Sequence, residues 1–370
     1  MISILNTRIL RLLVYLCFAL LFSVPLGCRS LRSTGKNPKG AALQKLEQLP
    51  NYSKEGFLNL DDEDERSINM FSVLMDMRNR PATVRPNTVM PIVKTDLKNT
   101  AYAKPTVIWF GHSSFLIKTK TANILVDPDF SGFAGPFSWF MKAFEGSNTY
   151  SADDMPQIDV LIISHDHYDH LDYGTVMKLK DKVKRVVVPL GIGSHFIYWG
   201  YKPELVHELN WGETNAVSTQ VNITAMPSRH TSGRMLSAKK TLWASYVIEA
   251  DGFKLFYSGD TGYGSHFKLI GEQYGPFDLA MMECGQYGKN WPQNHMFPSQ
   301  TAQAAADLKA RMILPVHWGK FAEANHPWNE SVTRMKIAAD SLNIPVTIPK
   351  IGQAYTVDSP AYTNDWWSVD

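Results

Sequence analysis

The sequence has few cysteines and no surplus of charge of either sign. Three cysteines among 370 residues are too few for a framework of disulfide bonds. Lysine and arginine number 37 and aspartate and glutamate 35, and this balance argues against a nucleic-acid partner, which would need a basic surface. Hydrophobic residues make up 44% of the chain, with 24 glycines and 21 prolines, so fibrous and mostly disordered classes are excluded. A near-neutral globular protein remains.

Long apolar runs are also missing, apart from one near the N-terminus. Residues 12–26 (LLVYLCFALLFSVPL) are apolar and follow Arg8 and Arg11, and residues 1–27 contain no acid. The run is shorter than the roughly 20 residues that a membrane-spanning helix needs. A charged start followed by a short apolar run is typical of a secretory signal. Cys28 directly after the run resembles the acylated cysteine of bacterial lipoproteins, so we predict a lipoprotein-type signal peptide over residues 1–27.

The lipoprotein interpretation predicts an exported protein that a lipid on Cys28 holds to a membrane of a bacterial cell envelope, on either the periplasmic or the surface side. An ordinary signal peptide cut nearby, or a retained anchor helix, stays open as an alternative. Removing residues 1–27 leaves 35 charges of each sign. Cys284 is then the one free thiol of the mature chain, and we expect it to be a small apolar side chain of the core.

Composition divides the remaining chain into four parts. Residues 28–50 are basic and poor in large apolar side chains, which is typical of a tether. Residues 51–104 are predicted to wrap around the core, partly irregular because of their prolines and partly helical over 68–77, where acidic residues precede an apolar-periodic stretch. Residues 105–357 form the predicted main domain, and residues 358–370 a C-terminal tail.

From residue 105 the chain changes to short β-rich runs, most with Gly, Pro, Asp or Asn close by, as strands require. Strands are predicted at 106–110, 114–118, 123–126, 160–163, 185–188, 221–225, 242–248, 254–257, 279–282 and 312–316. Helical patterns lie at 173–180, 299–309 and 331–342. Strands in two blocks with helices between them predict an α/β fold, in which two mixed β-sheets pack face to face and helices cover the outside.

Titratable side chains are concentrated directly after the predicted strand 160–163. His165, His167, Asp169 and His170 form the pattern H-x-H-x-D-H. Imidazole nitrogens and carboxylate oxygens are the usual ligands of zinc. Four such groups in one loop would be costly to bury without a cation, because each would lose its hydration. The pattern therefore predicts a metal site at the end of this strand.

Three further polar residues stand at strand ends in the same way. His230, Asp260 and His317 each come soon after a predicted strand, with small residues around them. Each alone would be an ordinary loop residue. Together with the H-x-H-x-D-H pattern they make seven candidate ligands at four strand ends, and one shared site explains them better than chance.

With these motifs in order, the sequence resembles the metallo-β-lactamase fold superfamily over residues 105–357. Within the superfamily the chain is similar to the branch that includes N-acyl-phosphatidylethanolamine-hydrolysing phospholipase D and its bacterial relatives. The segments behind this similarity are IWFGHSSFLI at 108–117, VDP at 126–128, YSGDTG at 257–262 and VHWG at 316–319.

The resemblance implies a centre of two zinc ions, with iron or manganese as alternatives. The implied ligands form two sets joined by a bridge. One set is His165, His167 and His230, the other is Asp169, His170 and His317, and the bridge is Asp260. In the β-lactamases themselves a cysteine commonly stands at the place of Asp260, and its absence here argues against β-lactam hydrolysis.

Two metal ions roughly 3.5–4 Å apart can share a hydroxide that is nucleophilic near neutral pH, and they can neutralise charge in the transition state. The sequence therefore predicts a hydrolase, with Asp169, Asp260 and His295 as catalytic side chains. The first hypothesis is a phosphodiesterase acting on a phospholipid-like or N-acyl phospholipid substrate. The alternative is a lactonase or acyl-ester hydrolase similar to the ascorbate-phosphate lactonases, and the second alternative is a non-catalytic metal-binding envelope lipoprotein.

Other residues are predicted to support the centre or to bind substrate. Asp127 and His112 are candidates for hydrogen bonds behind the metal ligands. His295 is a candidate to polarise a phosphate or protonate a leaving group, with an ordinary loop histidine as the alternative. The aromatic-rich segment 130–150 predicts either a cap on the sheet or an apolar wall for acyl chains or a bilayer. Its substrate-binding candidates are Phe130, Phe133, Phe137, Trp139 and Phe140.

Overall fold

Two large β-sheets and six α-helices make up the part of the protein that the computed structural model describes, residues 31–61, 79–234 and 237–368. The strands of the first sheet are β1 (Thr106–Trp109), β2 (Phe115–Lys118), β3 (Asn123–Val126), β4 (Val160–Ile162), β5 (Val186–Pro189), β6 (Val206–Leu209) and β15 (Ala354–Thr356). Those of the second sheet are β7 (Thr214–Ala216), β8 (Val221–Met226), β11 (Ser245–Ala250), β12 (Phe253–Tyr257), β13 (Leu279–Glu283) and β14 (Ile313–Val316). A separate hairpin pairs β9 (Gly233–Arg234) with β10 (Ser237–Ala238).

Some of the helices have local sequence signals at their starts. The helices are α1 (Ala41–Leu46), α2 (Tyr173–Leu179), α3 (Gly193–Tyr198), α4 (His266–Gln273), α5 (Pro298–Asp307) and α6 (Glu330–Ser341). Short 3₁₀ turns lie at Ala82–Val84, Lys180–Lys182, Pro203–Leu205 and Trp366–Ser368. Asp172 caps α2, because its carboxylate accepts the backbone N–H of Gly174 over 2.9 Å. Pro298 opens α5, where its missing N–H costs nothing.

Alternating side chains along the strands build two apolar layers. In β4, Val160 and Ile162 pack into the core shared with the second sheet, whereas Leu161 packs with Val176 and Phe196 of the covering helices. Strands β3 to β6 run parallel, as do β12 to β14, and the central ones are buried throughout, which suits their continuous apolar sequences. This layered arrangement confirms the predicted α/β sandwich of two mixed sheets.

All ten predicted strands are present, with bounds that differ by three residues at most, and the predicted helices correspond to α2, α5 and α6. Sequence analysis missed β6, β7 and β15. These three are edge strands, and their sequences, VHEL, TNA and AYT, carry little apolar signal because one side of an edge strand faces solvent.

The described part of the N-terminal segment 28–50 packs against the main domain, so the predicted tether is wrong from residue 31 onward. Ser33 is buried, and its carbonyl accepts hydrogen bonds from Arg234 Nε over 3.1 Å and Nη2 over 2.6 Å. Two more hydrogen bonds, each 2.8 Å, are Trp199 Nε1 to the Arg32 carbonyl and the Lys36 backbone N–H to His195 Nδ1. These polar contacts hold a segment whose composition carries almost no apolar signal.

Arg234 joins this segment to the loop that follows β4. The side chain is 3% exposed, and its Nη1 donates to the carbonyls of Asp166 over 2.7 Å and Leu171 over 2.9 Å. Its guanidinium carbon lies 3.9 Å from the ring centroid of Tyr168. Because the planar fork reaches three backbone carbonyls, counting that of Ser33, one buried cation fixes the loop and the N-terminal segment relative to each other.

The predictions for the flanking segments also change. The helix predicted over 68–77 lies outside the described residues, and the described remainder of the predicted wrap carries no α-helix. The tail predicted over 358–370 is packed as far as residue 368. Trp366 stacks on Trp318 at a centroid distance of 5.5 Å, and Trp367 is 2% exposed. The main domain therefore extends through these tryptophans, since large aromatic side chains gain most from burial.

The predicted export signal, the segment 1–27 with Cys28, lies outside the described residues, whereas the predicted core thiol lies within them. Within the described ranges, no helix is both long and apolar enough to cross a membrane. Cys284 is buried directly after β13, as expected for a core side chain, and burial raises the pKa of its thiol well above the ordinary value.

The hydrogen bonds from Arg234 to the carbonyls of Ser33, Asp166 and Leu171 form a clamp. Replacing Arg234 by methionine tests whether the clamp holds the N-terminal segment. The substitution keeps much of the volume but leaves the carbonyls of Ser33, Asp166 and Leu171 without their donors. Since each unsatisfied buried group costs about 1–3 kcal/mol, we expect the free energy of unfolding to fall by at least about 3 kcal/mol. Chemical denaturation of the purified full chain measures this change.

Arg311→Met is the matched control, because Arg311 is an exposed arginine that forms an ion pair with Asp278 over 2.6 Å. An exposed pair contributes at most about 1 kcal/mol, so this variant should stay close to wild type. Hydrogen exchange at the Lys36 amide should rise in Arg234→Met alone. Equal denaturation midpoints for the two variants would contradict the clamp.

Candidate metal centre

Loops at the carboxyl ends of β4, β8, β12 and β14 meet at one edge of the two sheets. These strands end on the same side, so the residues that follow them are brought together, as at the binding crevices of other α/β proteins. All seven predicted ligands lie there, and their nitrogen and oxygen atoms form overlapping groups within 4.8 Å of one another. They are His165, His167, Asp169, His170, His230, Asp260 and His317.

The first set consists of His165, His167 and His230. His165 Nε2 lies 2.9 Å and His230 Nε2 lies 3.3 Å from His167 Nδ1. Burial holds the pKa of His165 and of His230 well below the ordinary value, so both rings are neutral and keep a lone pair for a cation. Three neutral imidazoles in this arrangement suit zinc or a similar transition metal.

The second set consists of Asp169, His170 and His317, and His112 lies beside it. These four residues each offer one ligand atom within 4.8 Å of the others. Asp169 Oδ2 lies 3.0 Å from His170 Nε2 and 2.9 Å from His112 Nε2. Burial opposes ionisation of Asp169, but the charge of His170 and the contact with His112 hold the pKa of the carboxyl well below its ordinary value.

The Asp260 carboxylate lies between the two sets and faces both. Its Oδ2 is 3.7 Å from His165 Nε2 and 3.1 Å from His170 Nε2, and its Oδ1 is 3.2 Å from His317 Nδ1. Burial would raise the pKa of Asp260, but His170 and His317 hold it well below the ordinary value. One ionised carboxylate in contact with both sets has the geometry expected of the predicted bridge.

Gly259 makes this position of Asp260 possible. Its φ is 58°, and a Cβ there would lie 2.6 Å from the Ala244 carbonyl oxygen and 3.1 Å from Ser164 Cβ. Any other residue would push the loop after β12 away from the segment before β11 and from Ser164, which follows β4. The close approach of two backbones therefore requires glycine directly before the bridging carboxylate.

Several buried atoms of the centre have no hydrogen-bond partner. They are His170 Nε2, His317 Nε2 and Asp260 Oδ1. Leaving one such atom unsatisfied costs about 1–3 kcal/mol. A cation coordinated by these atoms would remove that cost, and the mixture of imidazole and carboxylate suits a divalent transition metal. The residues present therefore fit a metal centre.

Asp127 supports the centre from behind, where it was predicted to lie. Its buried carboxylate accepts hydrogen bonds from His170 Nδ1 and Ser164 N, each 2.8 Å, and from Ser164 Oγ and Tyr257 Oη, each 2.5 Å. With Nδ1 donating to Asp127, the ring of His170 turns Nε2 toward Asp169 and Asp260, where this nitrogen can coordinate a cation. Because Asp127 follows β3 and Tyr257 ends β12, the same carboxylate also joins the two sheets.

Three residues of the centre have a left-handed backbone, with φ of 52° at His112, 38° at Asp127 and 64° at His317. Such conformations cost on the order of 1–3 kcal/mol in residues other than glycine and persist where surrounding contacts impose them. The His317 N–H donates to the His112 carbonyl over 2.9 Å, and the His112 N–H donates to the Trp318 carbonyl over 2.8 Å. This exchange locks the loops after β1 and β14 together.

Sequence analysis did not identify Asp166, which occupies a variable position of the H-x-H-x-D-H pattern. Its buried carboxylate accepts hydrogen bonds from Gly233 N (2.6 Å), Thr241 Oγ1 (2.9 Å) and His195 Nε2 (3.2 Å). Burial opposes ionisation, yet His195 and Arg234 help lower the pKa of this carboxyl to about 2. All its partners are distant in sequence, so no local pattern could have found them.

His295 lies beside the centre and has a partner that sequence analysis missed. Its ring stacks on that of His317 at a centroid distance of 5.0 Å, and its Nδ1 is 3.1 Å from Glu283 Oε1. Glu283 ends β13 and is fully buried, and burial raises its pKa to about 7. Burial would lower the pKa of His295, but the contact with Glu283 raises it above the ordinary value. Such a pair is suited to proton transfer.

Part of the aromatic segment 130–150 borders a cavity whose lining includes none of the seven candidate ligands. Phe133 and Pro136 line a cavity of about 120 Å³ together with Tyr168 and Arg234. Tyr168 stands between two candidate ligands in the sequence, so this cavity adjoins the loop that carries the first and second sets.

The other aromatic candidates separate into exposed and packed residues. Phe137 and Trp139 stack on each other at 5.5 Å and are 39% and 70% exposed. Phe130 packs against Phe110 at 5.5 Å, and the Phe140 ring lies over Gly135. Both the predicted cap and the predicted apolar surface are therefore represented in one segment, and the substrate contacts stay predictions.

Comparison with known proteins supports the same assignment. Residues 122–318, more than half of the chain, match the family model described as the beta-lactamase superfamily domain. An uncharacterised protein of Mycobacterium tuberculosis is 34% identical over 334 residues, which cover 87% of this chain and 88% of that protein. The mitochondrial N-acyl-phosphatidylethanolamine-hydrolyzing phospholipase D of Saccharomyces cerevisiae is 30% identical over 76% of this chain and 60% of its own length. Igni18, a metallo hydrolase from Ignicoccus hospitalis, has the same fold, with a TM-score of 0.55 at 20% identity over 70% of this chain and 100% of that one.

The family match extends from before Asp127 to just after His317, so it contains all seven candidate ligands and the carboxylate behind them. The resemblance drawn from the motifs is thereby confirmed. This chain belongs to the β-lactamase superfamily and is one of its metal-dependent hydrolases.

Proposed function

We propose that this hydrolase cleaves phosphodiester bonds of phospholipid-like or N-acyl phospholipid substrates, using two zinc ions. The observation that carries the proposal is the Asp260 carboxylate, which faces the first and second sets at once. The yeast relative, named as a phospholipase D, supports the substrate class, and this chain spans 60% of that protein's length.

The residues of the centre would have separate roles. The first set would hold one ion, the second set the other, and Asp260 would contact both. When bound, the ions would supply a water nucleophile near neutral pH and neutralise charge on the phosphoryl oxygens. Asp127 keeps His170 turned toward the second position, and Asp169 stays ionised because His170 and His112 surround its carboxylate.

His295 is suited to protonate the leaving group. Its ring lies over both sets, with centroid distances of 5.3 Å to His230 and 5.0 Å to His317. Glu283 holds Nδ1, so a proton on Nε2 would face outward from that pair. An alkoxide released from a phosphodiester is a strong base, and a positioned acid typically contributes 10²–10⁴-fold at this step.

The surroundings of the centre suit a lipid substrate. The cavity beside Tyr168 has an aromatic wall at Phe133, and Phe137 with Trp139 presents apolar surface outside it. We propose that acyl chains contact this segment and that a lipid on Cys28 anchors the exported chain to a bacterial envelope membrane. A lactone would fit the same two sets, so the lactonase hypothesis differs in substrate and shares the centre.

An assay panel separates these hypotheses. We expect turnover of phosphodiesters, with N-acyl phosphatidylethanolamine in mixed micelles among them, by protein that contains two metal equivalents per chain by elemental analysis. Hydrolysis of lactones without hydrolysis of any phosphodiester would replace the first hypothesis by the lactonase. A purified chain that binds no transition metal would leave only the non-catalytic lipoprotein.

Removing a ligand tests the centre directly. Asp260→Ala and His165→Ala should each lower kcat/KM by at least about 100-fold, since losing even a partner behind a metal ligand costs up to this factor. Metal content should fall at the same time. Asp340→Ala, an exposed acid on α6, is the control and should keep both activity and metal. Wild-type turnover in either ligand variant would show that the site is misassigned.

The role of His295 predicts a dependence on the leaving group. His295→Gln should slow substrates with alkyl alcohol leaving groups by roughly 10²–10⁴-fold and should hardly affect p-nitrophenyl phosphodiesters, whose leaving group needs no proton. His207→Gln, a partly exposed histidine on β6, is the matched control. An equal loss for both kinds of substrate would assign His295 to binding or folding rather than to proton delivery.

A further inference from the structure

Glu323 lies at the centre and belongs to neither the first nor the second set. It follows β14 on the loop that begins with His317. Its Oε1 is 3.5 Å from His112 Nε2, and its Oε2 is 3.6 Å from His317 Nε2. Sequence analysis gave no role to this residue, because no pattern at its position marks a ligand.

Six hydrogen bonds hold this loop, five to its backbone and one to the side chain of Asn325. Two side chains distant in sequence, Gln286 and Arg80, provide all of them. Gln286 Oε1 accepts the N–H groups of Glu323 and Ala324, and its Nε2 donates to the Phe321 carbonyl, while Arg80 donates to the carbonyls of Ala322 and Glu323 and to Asn325 Oδ1. The carboxylate of Glu323 is therefore held toward the centre by a rigid loop.

The distance of 3.6 Å from Glu323 Oε2 to His317 Nε2 is close to that between ligands that share an ion. Ligand atoms at about 2.0–2.2 Å from one cation lie roughly 3.0–3.5 Å from each other. The atoms Glu323 Oε1 and His317 Nε2 are buried and have no hydrogen-bond partner. A hydrogen bond between Glu323 and His317 would bring Oε2 and Nε2 closer together than the 3.6 Å that separates them.

Charge leads to the same conclusion. Asp169 and Asp260 already bring two carboxylates to the second set and its bridge, each within 3.1 Å of His170 Nε2. A third carboxylate at this place is costly unless a cation lies among the three. The neighbouring imidazole of His112, between Asp169 Oδ2 at 2.9 Å and Glu323 Oε1 at 3.5 Å, supports both carboxylates from one side.

We propose that the Glu323 carboxylate is an additional ligand of the second metal position, beside Asp169, His170 and His317. The inference rests on the proposed two-metal centre and concerns the composition of one of its halves. The first position then has three imidazoles and the shared Asp260. The second has two imidazoles and three carboxylates, counting Asp260.

The two positions would therefore prefer different metals. Imidazole-rich sites suit zinc, and sites rich in carboxylate oxygen suit manganese and iron, which also accept more ligands. Glu323 would thus shift the second position toward Mn²⁺ or Fe²⁺. Both positions still accept zinc, and manganese or iron supplied together with zinc should enter the second position.

Metal titrations of the apo-protein test the proposal without any assay of activity. Isothermal titration calorimetry with Zn²⁺ and with Mn²⁺ would compare wild type with Glu323→Gln. We expect the first equivalent to be unchanged, the second Mn²⁺ to bind roughly 100-fold more weakly, and the second Zn²⁺ to weaken by about tenfold at most. In Co²⁺-loaded protein, the visible absorption of the second ion should grow stronger, because fewer ligands give more intense bands.

Two further variants complete the test. Glu323→Asp keeps the charge but is one methylene shorter, so it should lose Mn²⁺ preference as Glu323→Gln does. Glu272→Gln, an exposed acid on α4, should match wild type in every titration. The apo form of Glu323→Gln should unfold at or above the wild-type temperature, because a repelled carboxylate has been removed.

The outcomes separate this proposal from the one on which it rests. Unchanged second-ion affinities and an unchanged Co²⁺ spectrum in Glu323→Gln would overturn the role of Glu323 alone. So would an apo-protein that is less stable than wild type with an unaltered preference between Zn²⁺ and Mn²⁺. A wild-type chain that takes up a single ion would overturn the two-metal centre itself.

Discussion

The constraint on which this structure depends is the balance of charge in one buried cleft. Asp260 is 2% exposed and meets imidazoles from both sets, and His170 and His317 hold the pKa of its carboxyl well below the ordinary value although burial would raise it. His165 and His230 stay neutral because they are buried. Anionic oxygens and neutral nitrogens in such a space form a stable arrangement only when cations complete it. The loops around the cleft are shaped to satisfy that requirement.

The fold meets this constraint with supports placed outside the ligands. Asp127 holds His170 and, through Tyr257, joins the two sheets at the point where the ligands emerge. Asp166 holds the same loop from the other side through the β9 hairpin and His195. The core that packs β4 against the second sheet and the polar contacts that position the ligands are therefore continuous. A change in the packing of the core would therefore shift the ligands, and a change in the polar contacts would disturb the packing.

A strand or a site residue could be predicted when the residues next to it in sequence carried the pattern that marks it. The seven ligands follow strands with clear β patterns, so strand ends and donor types together predicted both the fold and the cleft. Glu283 and Glu323 were missed because their importance arises from neighbours distant in sequence. The edge strands were missed because their exposed faces carry polar residues. The N-terminal segment looked like a tether because backbone carbonyls, which leave no trace in composition, make its contacts.

That N-terminal contact limits how far the domain can move from an anchor. Ser33, whose carbonyl accepts hydrogen bonds from Arg234, comes five residues after Cys28 in the sequence. A fully extended chain of this length spans at most about 17 Å. If Cys28 carries a lipid, the contact between Ser33 and Arg234 limits the attachment to this length. The cavity lined by Ser33 and Phe133 then stays within about 17 Å of the lipid headgroups. The enzyme would then search for substrate in the plane of its own membrane, in two dimensions rather than three.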